Sequence, residues 1–185
     1  MITIEIASLL LFYIVILSGC GGSGTASPSA SDPVVSGDNT SITADGSGAM
    51  LAQDTELSTG FSGLAVKNAF IIDGNDRMVS KRDVALNTQF SIVYEGVKNY
   101  TLKNGKAFPD LSIRVMDNNQ VTVLEKADML ASYTDGLSET DASVLRATVV
   151  VGDPMKAGKY ICTVQVIDKN NANAAILSTW EFEVK

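Results

Sequence analysis

From about Leu57 to Lys185 the apolar residues recur with a period close to two. Successive side chains of a β-strand point to opposite faces, so this alternation limits the fold more than any other feature. Seven runs carry it: Leu64, Val66, Asn68, Phe70 and Ile72; Phe90, Ile92 and Tyr94; Leu111, Ile113 and Val115; Val121 and Val123; Leu145, Ala147, Val149 and Val151; Tyr160, Cys162, Val164 and Val166; and Trp180, Phe182 and Val184. Short strands separated by Gly, Asn and Asp turns, such as Asp117-Asn118-Asn119, predict an all-β sandwich of about seven strands. The roughly 130 residues involved are one domain's worth of chain. One stretch departs from the period: in Glu125–Tyr133, Met129, Leu130 and Tyr133 are spaced for one or two helical turns. Ser138-Glu139-Thr140-Asp141 reads as a capping box opening a short turn.

The other end of the chain has a different character. The apolar run Ile6–Leu17 is about a dozen residues, whereas a membrane-spanning helix needs roughly 20, so it reads as the apolar region of a signal peptide. Directly after it stands Leu17-Ser18-Gly19-Cys20, which resembles a bacterial lipobox. The resemblance implies cleavage before Cys20, a diacylglycerol on its thiol, further acylation of the palmitate kind, and a mature protein held to a membrane by lipid. Two acyl signals or more are what stable anchoring requires. Met1–Ile6 departs from the signal pattern, because it has no Lys or Arg and carries Glu5, which leaves an upstream start codon open. From Gly21 to Glu56 the chain turns to Gly, Ser, Thr, Ala and Asp with almost no large apolar residue. Such a segment buries too little surface to offset its conformational entropy and is expected to be a flexible tether. The expected organisation is residues 1–19 as signal peptide, 20–56 as lipidated Cys and tether, and 57–185 as the sandwich. Gly21-Gly22-Ser23-Gly24 holds no acidic residue. In lipoproteins of this kind that implies the outer membrane of a cell envelope, with the periplasmic or surface-facing side left open.

Ala157-Gly158-Lys159-Tyr160-Ile161-Cys162 places a Tyr two residues before an inward Cys, just after a tight turn. This resembles the tyrosine corner of immunoglobulin-like domains. Met155–Lys185 likewise resembles the last two strands of bacterial modules of the PKD and cadherin-like kind, and the likeness implies an Ig-like sandwich. The chain departs from true immunoglobulins in having no second Cys within the domain and in carrying Trp180 on the last strand rather than the third. With Cys20 acylated, Cys162 has no partner and reads as a small buried hydrophobe.

The 185 residues contain no His, which removes Ser-His and Cys-His nucleophile activation and the commonest zinc ligand. A carboxylate pair drawn from Asp110, Asp117, Glu139 and Asp141 is the formal alternative for glycoside hydrolysis, but these sit where Asp and Glu ordinarily make turns. No enzymatic activity, cofactor or metal is expected. Asp73-Gly74-Asn75-Asp76, Asp117-Asn118-Asn119 and Asp168-Lys169-Asn170-Asn171 are oxygen-rich loops without EF-hand spacing, and they read as Asx turns. Lys and Arg number 14 against 21 Asp and Glu, for a net charge of −7, and no basic cluster stands out, which argues against nucleic acid and against docking on anionic headgroups. Tyr94, Tyr100, Phe108 and Tyr133 fall near the middle of the chain, and the loop Tyr100–Pro109 is long for a hairpin. Tyr100 and Phe108 are therefore the candidate ligand contacts. The expectation is an envelope lipoprotein whose partners are the membrane, through lipid, and an envelope protein. A surface glycan is the alternative ligand.

Overall fold

The computed structural model describes residues 39–42, 47–52 and 55–185. The lipobox residues Leu17, Ser18, Gly19 and Cys20 lie outside them. The elements run β1 (Asn39–Ile42), β2 (Gly48–Ala52), β3 (Leu57–Ser62), β4 (Asn68–Asp73), β5 (Asp83–Val84), β6 (Thr88–Glu95), β7 (Pro109–Asp117), β8 (Thr122–Lys126), α1 (Glu139–Ala142), β9 (Val144–Val151), β10 (Gly158–Asp168) and β11 (Asn171–Val184). They build an all-β sandwich. Its larger sheet has the order β1-β2-β3-β11-β10-β7-β8, with β5 pairing parallel to the end of β11; its smaller sheet is β4-β6-β9.

The long β10–β11 hairpin is the spine. Tyr160, Cys162, Val164 and Val166 are all buried, and their register partners Phe182, Trp180, Ser178 and Ile176 are buried with them, so one face of the hairpin is a continuous floor for the core. Trp180 and Phe90 meet edge to face at 4.8 Å across the two sheets, and Phe182 stacks on both Trp180 (5.1 Å) and Tyr160 (5.6 Å). Edge-to-face and offset contacts of this kind add about 0.5–1.5 kcal/mol per pair beyond the area they bury. The Trp180 indole N–H, which would be costly to bury unpaired, donates to the Thr55 carbonyl at 2.9 Å. Tyr160 Oη accepts from the Lys156 amide and donates to the Lys156 carbonyl, both at 2.9 Å, which ties the start of β10 to the turn before it. Burial pushes the Cys162 thiol up to about 12, which makes it an inert core residue.

Five of the seven predicted runs sit inward as read, or nearly so. The second, third, fifth, sixth and seventh form β6, β7, β9, β10 and β11, and their named residues are buried. The fourth forms β8, but at a sheet edge, where Val121 is exposed and Val123 only half-buried. The first is out of phase. In β4 the residues turned into the core are Ala69 and Ile71, while Leu64 and Val66 are buried in the segment before the strand. Small Ala69 hides the inward face from a hydrophobicity pattern, while the other face carries the large apolar Phe70, half-buried, and Ile72, buried, which shifts the apparent phase. Glu125–Tyr133 is not helical. Glu125 and Lys126 end β8, and the rest is a string of tight turns closed by Ala131 N to Asp128 O (3.1 Å) and Tyr133 N to Leu130 O (3.0 Å). The sheet also begins before Leu57: β1 and β2 pair with each other, and β2 pairs with β3, inside the stretch expected to be tether. Met50, buried in β2, is the apolar residue whose contribution the Gly/Ser/Thr-rich average conceals.

Candidate functional site

The loop Gly96–Phe108 holds the two candidate contacts, and the sequence folds it against the body of the domain at both ends. Thr101 N donates to Asp168 Oδ2 at 2.6 Å, Asn170 Nδ2 donates to the Thr101 carbonyl at 2.8 Å, and Asn170 N donates to Asp168 Oδ1 at 3.0 Å. Asp168 is fully buried, so its carboxylate is the staple that joins the loop to the β10–β11 turn. On the other side Ala107 and Leu137 exchange main-chain hydrogen bonds of 2.9 and 2.8 Å. A small satellite core of Ala107, Leu137 and Ala142 forms there, with Tyr100 and Tyr133 packed against it.

Tyr100 is half-buried and its hydroxyl donates to the Ala142 carbonyl at 3.1 Å. Burial, and after it the charge of Asp168, holds its phenol above the ordinary tyrosine range. Phe108 is half-buried over Gly136, where an added Cβ would come within 2.8 Å of the ring; Gly136 also has φ +73°, so the position suits glycine twice over. The structure thus brings Tyr100 and Phe108 into one region, but as parts of the loop's packing, and Tyr100 has no free polar tip. Tyr94 lies apart from them, fully buried between the sheets, where burial keeps its phenol above the usual range.

The four carboxylates weighed for hydrolysis are dispersed. Asp110 and Asp117 stand at opposite ends of the nine-residue β7, about 23 Å apart at strand rise, whereas a catalytic pair needs roughly 5–9.5 Å. Glu139 and Asp141 lie in the first turn of α1, and Asp141 is engaged with the N-cap: its amide donates to Ser138 Oγ (3.1 Å) and its Oδ2 accepts from that hydroxyl (2.6 Å). Ser138 is thus the N-cap read from the sequence, but the Asp141 carboxylate bonds the Ser138 hydroxyl rather than its backbone N–H, so the reciprocal half of a capping box is not made. Asp110 does have an acidic neighbour in Asp128, which Lys169 neutralises at 2.8 Å; burial and then Asp128 raise the Asp110 carboxyl, and its Oδ1 is buried without a hydrogen-bond partner.

The acidic loops spend their oxygens on their own backbones. Asp73 Oδ1 accepts from Asn75 N and Arg77 N at 2.8 and 3.0 Å, and the Arg77 amide is the main reason its carboxyl is held below the usual range. Asp117 Oδ1 accepts from Asn119 N and Val121 N, both at 2.9 Å. Among the described residues no group of three or more acidic or Cys side chains is placed to hold a metal ion. Among the described residues two open depressions stand out on the surface. One of about 330 Å³ lies between Arg82, Asp117, Lys159 and Glu181, and one of about 470 Å³ is lined by Asp73, Asn87, Gln89 and Val150. In the first, Arg82 is already paired with Glu56 and lies 3.7 Å from Glu181. Among the described residues no helix is long and apolar enough to cross a membrane.

No protein-family model and no curated protein matches the sequence. Among solved structures, the C-terminal domain of Wzt is similar over 66 % of this chain and 74 % of its own at 12 % identity, with a TM-score of 0.48. The PmoD soluble domain from Methylocystis is similar over 74 % of this chain and 96 % of its own at 8 % identity and a TM-score of 0.36. A Niemann-Pick type C2 protein from the Japanese carpenter ant is similar over 68 % of this chain and 98 % of its own at 9 % identity and a TM-score of 0.37. These are β-rich neighbours at low identity, and the likeness extends no further than that.

Proposed function

We propose that the chain is a lipid-anchored lipoprotein of the cell envelope whose Ig-like sandwich serves as a structural or protein-interaction module rather than as an enzyme. The observation that carries this reading is Leu17-Ser18-Gly19-Cys20 at the end of a short apolar run. The Ig-like assignment draws support from strand order: β4-β6-β9 facing β11-β10-β7-β8 corresponds to strands A-B-E facing G-F-C-C′, and the Tyr160 corner falls on strand F, where such domains carry it. A module reading fits a molecule whose candidate carboxylates are dispersed and whose loops are tied down by their own side chains. The glycan alternative through Tyr100 and Phe108 draws less support, since Tyr100 spends its hydroxyl on Ala142.

The test is mass analysis of the N-terminal peptide from membranes of expressing cells, with protease shaving of intact cells alongside. The expected result is a diacylglycerol-modified, acylated Cys20 and loss of membrane association in Cys20→Ser. An unmodified Cys20, or a Cys20→Ser protein that still fractionates with membranes, would overturn the anchor. Shaving then assigns the domain to the surface or to the periplasm.

A further inference from the structure

The edges of the two sheets are not equally protected. At one end of the larger sheet β8 is five residues long, carries a bulge in its pairing with β7, and ties Glu125 to Arg114 at 2.5 Å. Short length, a bulge and charge are the ordinary means of stopping a strand edge from pairing with another chain. In the smaller sheet the β4 edge is covered by its own continuation. Asp73 N donates to Arg77 O and Val79 N to Ile71 O, both at 2.9 Å, and Ile72 bridges Met78.

The other edge of the smaller sheet, β9, has none of these devices. It is eight residues long, Val-Leu-Arg-Ala-Thr-Val-Val-Val, without Pro or bulge and with one charge. Among the described residues no main-chain group from Val144 to Val150 bonds to anything beyond the β6 ladder. On its outward face the polar side chains are satisfied within the chain: Arg146 donates to Ser91 Oγ (2.9 Å) and Asp76 Oδ1 (2.8 Å), and Thr148 shares a hydrogen bond with Ser91 (2.8 Å). What the face leaves to solvent is Val144 at 55 % and Val150 at 47 % exposure.

The outward residues of β9 run Val144, Arg146, Thr148 and Val150, apolar at both ends and polar between, a pattern that matches its own reverse and so suits a second copy of the same strand. Residues directly opposite in an antiparallel pair share a face, so a twofold axis can pass only through a residue of β9 or an equivalent register of the same parity. At Ala147 the axis sets Val144 against Val150 of the second copy, Arg146 against Thr148 of the second copy, and Leu145 against Val149 of the second copy. At Arg146 it would set two guanidinium groups directly opposite, which is destabilising. At Thr148 it would set Arg146 against Val150 and leave Val144 facing Gly152. Charge and apolar matching agree on one register. We propose that the chain forms a twofold dimer by antiparallel pairing of β9 with β9 of a second copy about Ala147, joining the two smaller sheets into one of six strands. The ladder adds about six to eight main-chain hydrogen bonds, whichever alternate set of residues points outward.

The test uses the full chain in mild detergent with Cys20→Ser, so that Cys162, which is buried, is the sole native thiol. Val144→Cys with Val150→Cys places thiols opposite each other across the dimer, whereas within one chain they are about 20 Å apart. Gentle oxidation should give a reducible dimer whose linked peptide joins positions 144 and 150, and Val150→Cys alone should not link. A second set guards against misfolding. Val144→Lys with Val150→Lys should weaken dimerisation about tenfold or more by sedimentation, and Val144→Lys with Val150→Glu should restore it. Both are exposed positions, and unchanged circular dichroism verifies the fold. A parent chain that stays monomeric across the micromolar range, or single-cysteine linking as fast as the double variant, would overturn the proposal.

Discussion

The larger and smaller sheets divide the work of the molecule. In the larger sheet the β10–β11 hairpin alternates buried and outward residues from Tyr160 to Asp168 and from Ala174 to Val184 and carries Trp180, Phe182 and Tyr160, while its β8 edge is short, bulged and charged. In the smaller sheet the central strand β6 is buried on both faces from Phe90 to Tyr94, yet β9 beside it ends in an unprotected aliphatic edge. Cooperative stability should therefore reside in the hairpin and its aromatic cluster, and association in the β9 edge. The two properties are separable by mutation because no residue of the aromatic cluster lies on that edge.

The comparison breaks most visibly at Trp180. Trp180→Ala removes the ring that Phe90 and Phe182 pack on and leaves the Thr55 carbonyl without its donor, so a loss of about 3–5 kcal/mol is expected from urea denaturation. Val150→Ala, at an exposed β9 site, should change the same unfolding free energy by no more than about 0.5 kcal/mol while weakening self-association measured by sedimentation. Equal losses at the two sites would end the division. Tyr160→Phe deprives the Lys156 amide and carbonyl of their shared partner, and about 1–2 kcal/mol should be lost in thermal unfolding. Ser138→Ala removes the N-cap of α1 and should cost about 1 kcal/mol.

The smallest effect is one of pH. Burial, with Asp128 next, raises the Asp110 carboxyl in the folded protein. The folded state therefore holds a proton that the unfolded state releases at lower pH, and the group detracts from stability once pH rises through the raised value. Asp110→Asn should raise the melting temperature near neutral pH, and the gain should fade as pH falls below the ordinary carboxylate range. A gain that persists unchanged at low pH would place its origin elsewhere.

Much of the sandwich was legible because buried strands alternate, and five runs announced themselves by residues such as Phe90, Ile113, Val149, Cys162 and Trp180. The phase of β4 was not, since its inward residues include Ala69 while its outer face carries the larger Phe70 and Ile72. Nor was β2, where Met50, with Ala52 packed beside the core, lies in a stretch whose average composition is Gly, Ser and Thr. The site was less legible than the fold. Tyr100 and Phe108 were found as aromatics of a long loop, but composition does not tell that Ala142 would take the Tyr100 hydroxyl or that Phe108 would close over Gly136. The β9 edge had a different obstacle: Leu145, Ala147, Val149 and Val151 were read as the inward set, and whether a neighbouring strand covers Val144 and Val150 is a property of strand order.

The most direct test of the division between the sheets is amide hydrogen exchange of the full chain, resolved by residue and followed across protein concentration. The account predicts that β10 and β11 amides are among the slowest at every concentration, whereas the outward amides of β9 exchange freely in dilute solution and gain protection as the protein is concentrated. Protection of β9 that does not change with concentration, or exchange of the β10–β11 hairpin ahead of the rest of the core, would contradict it.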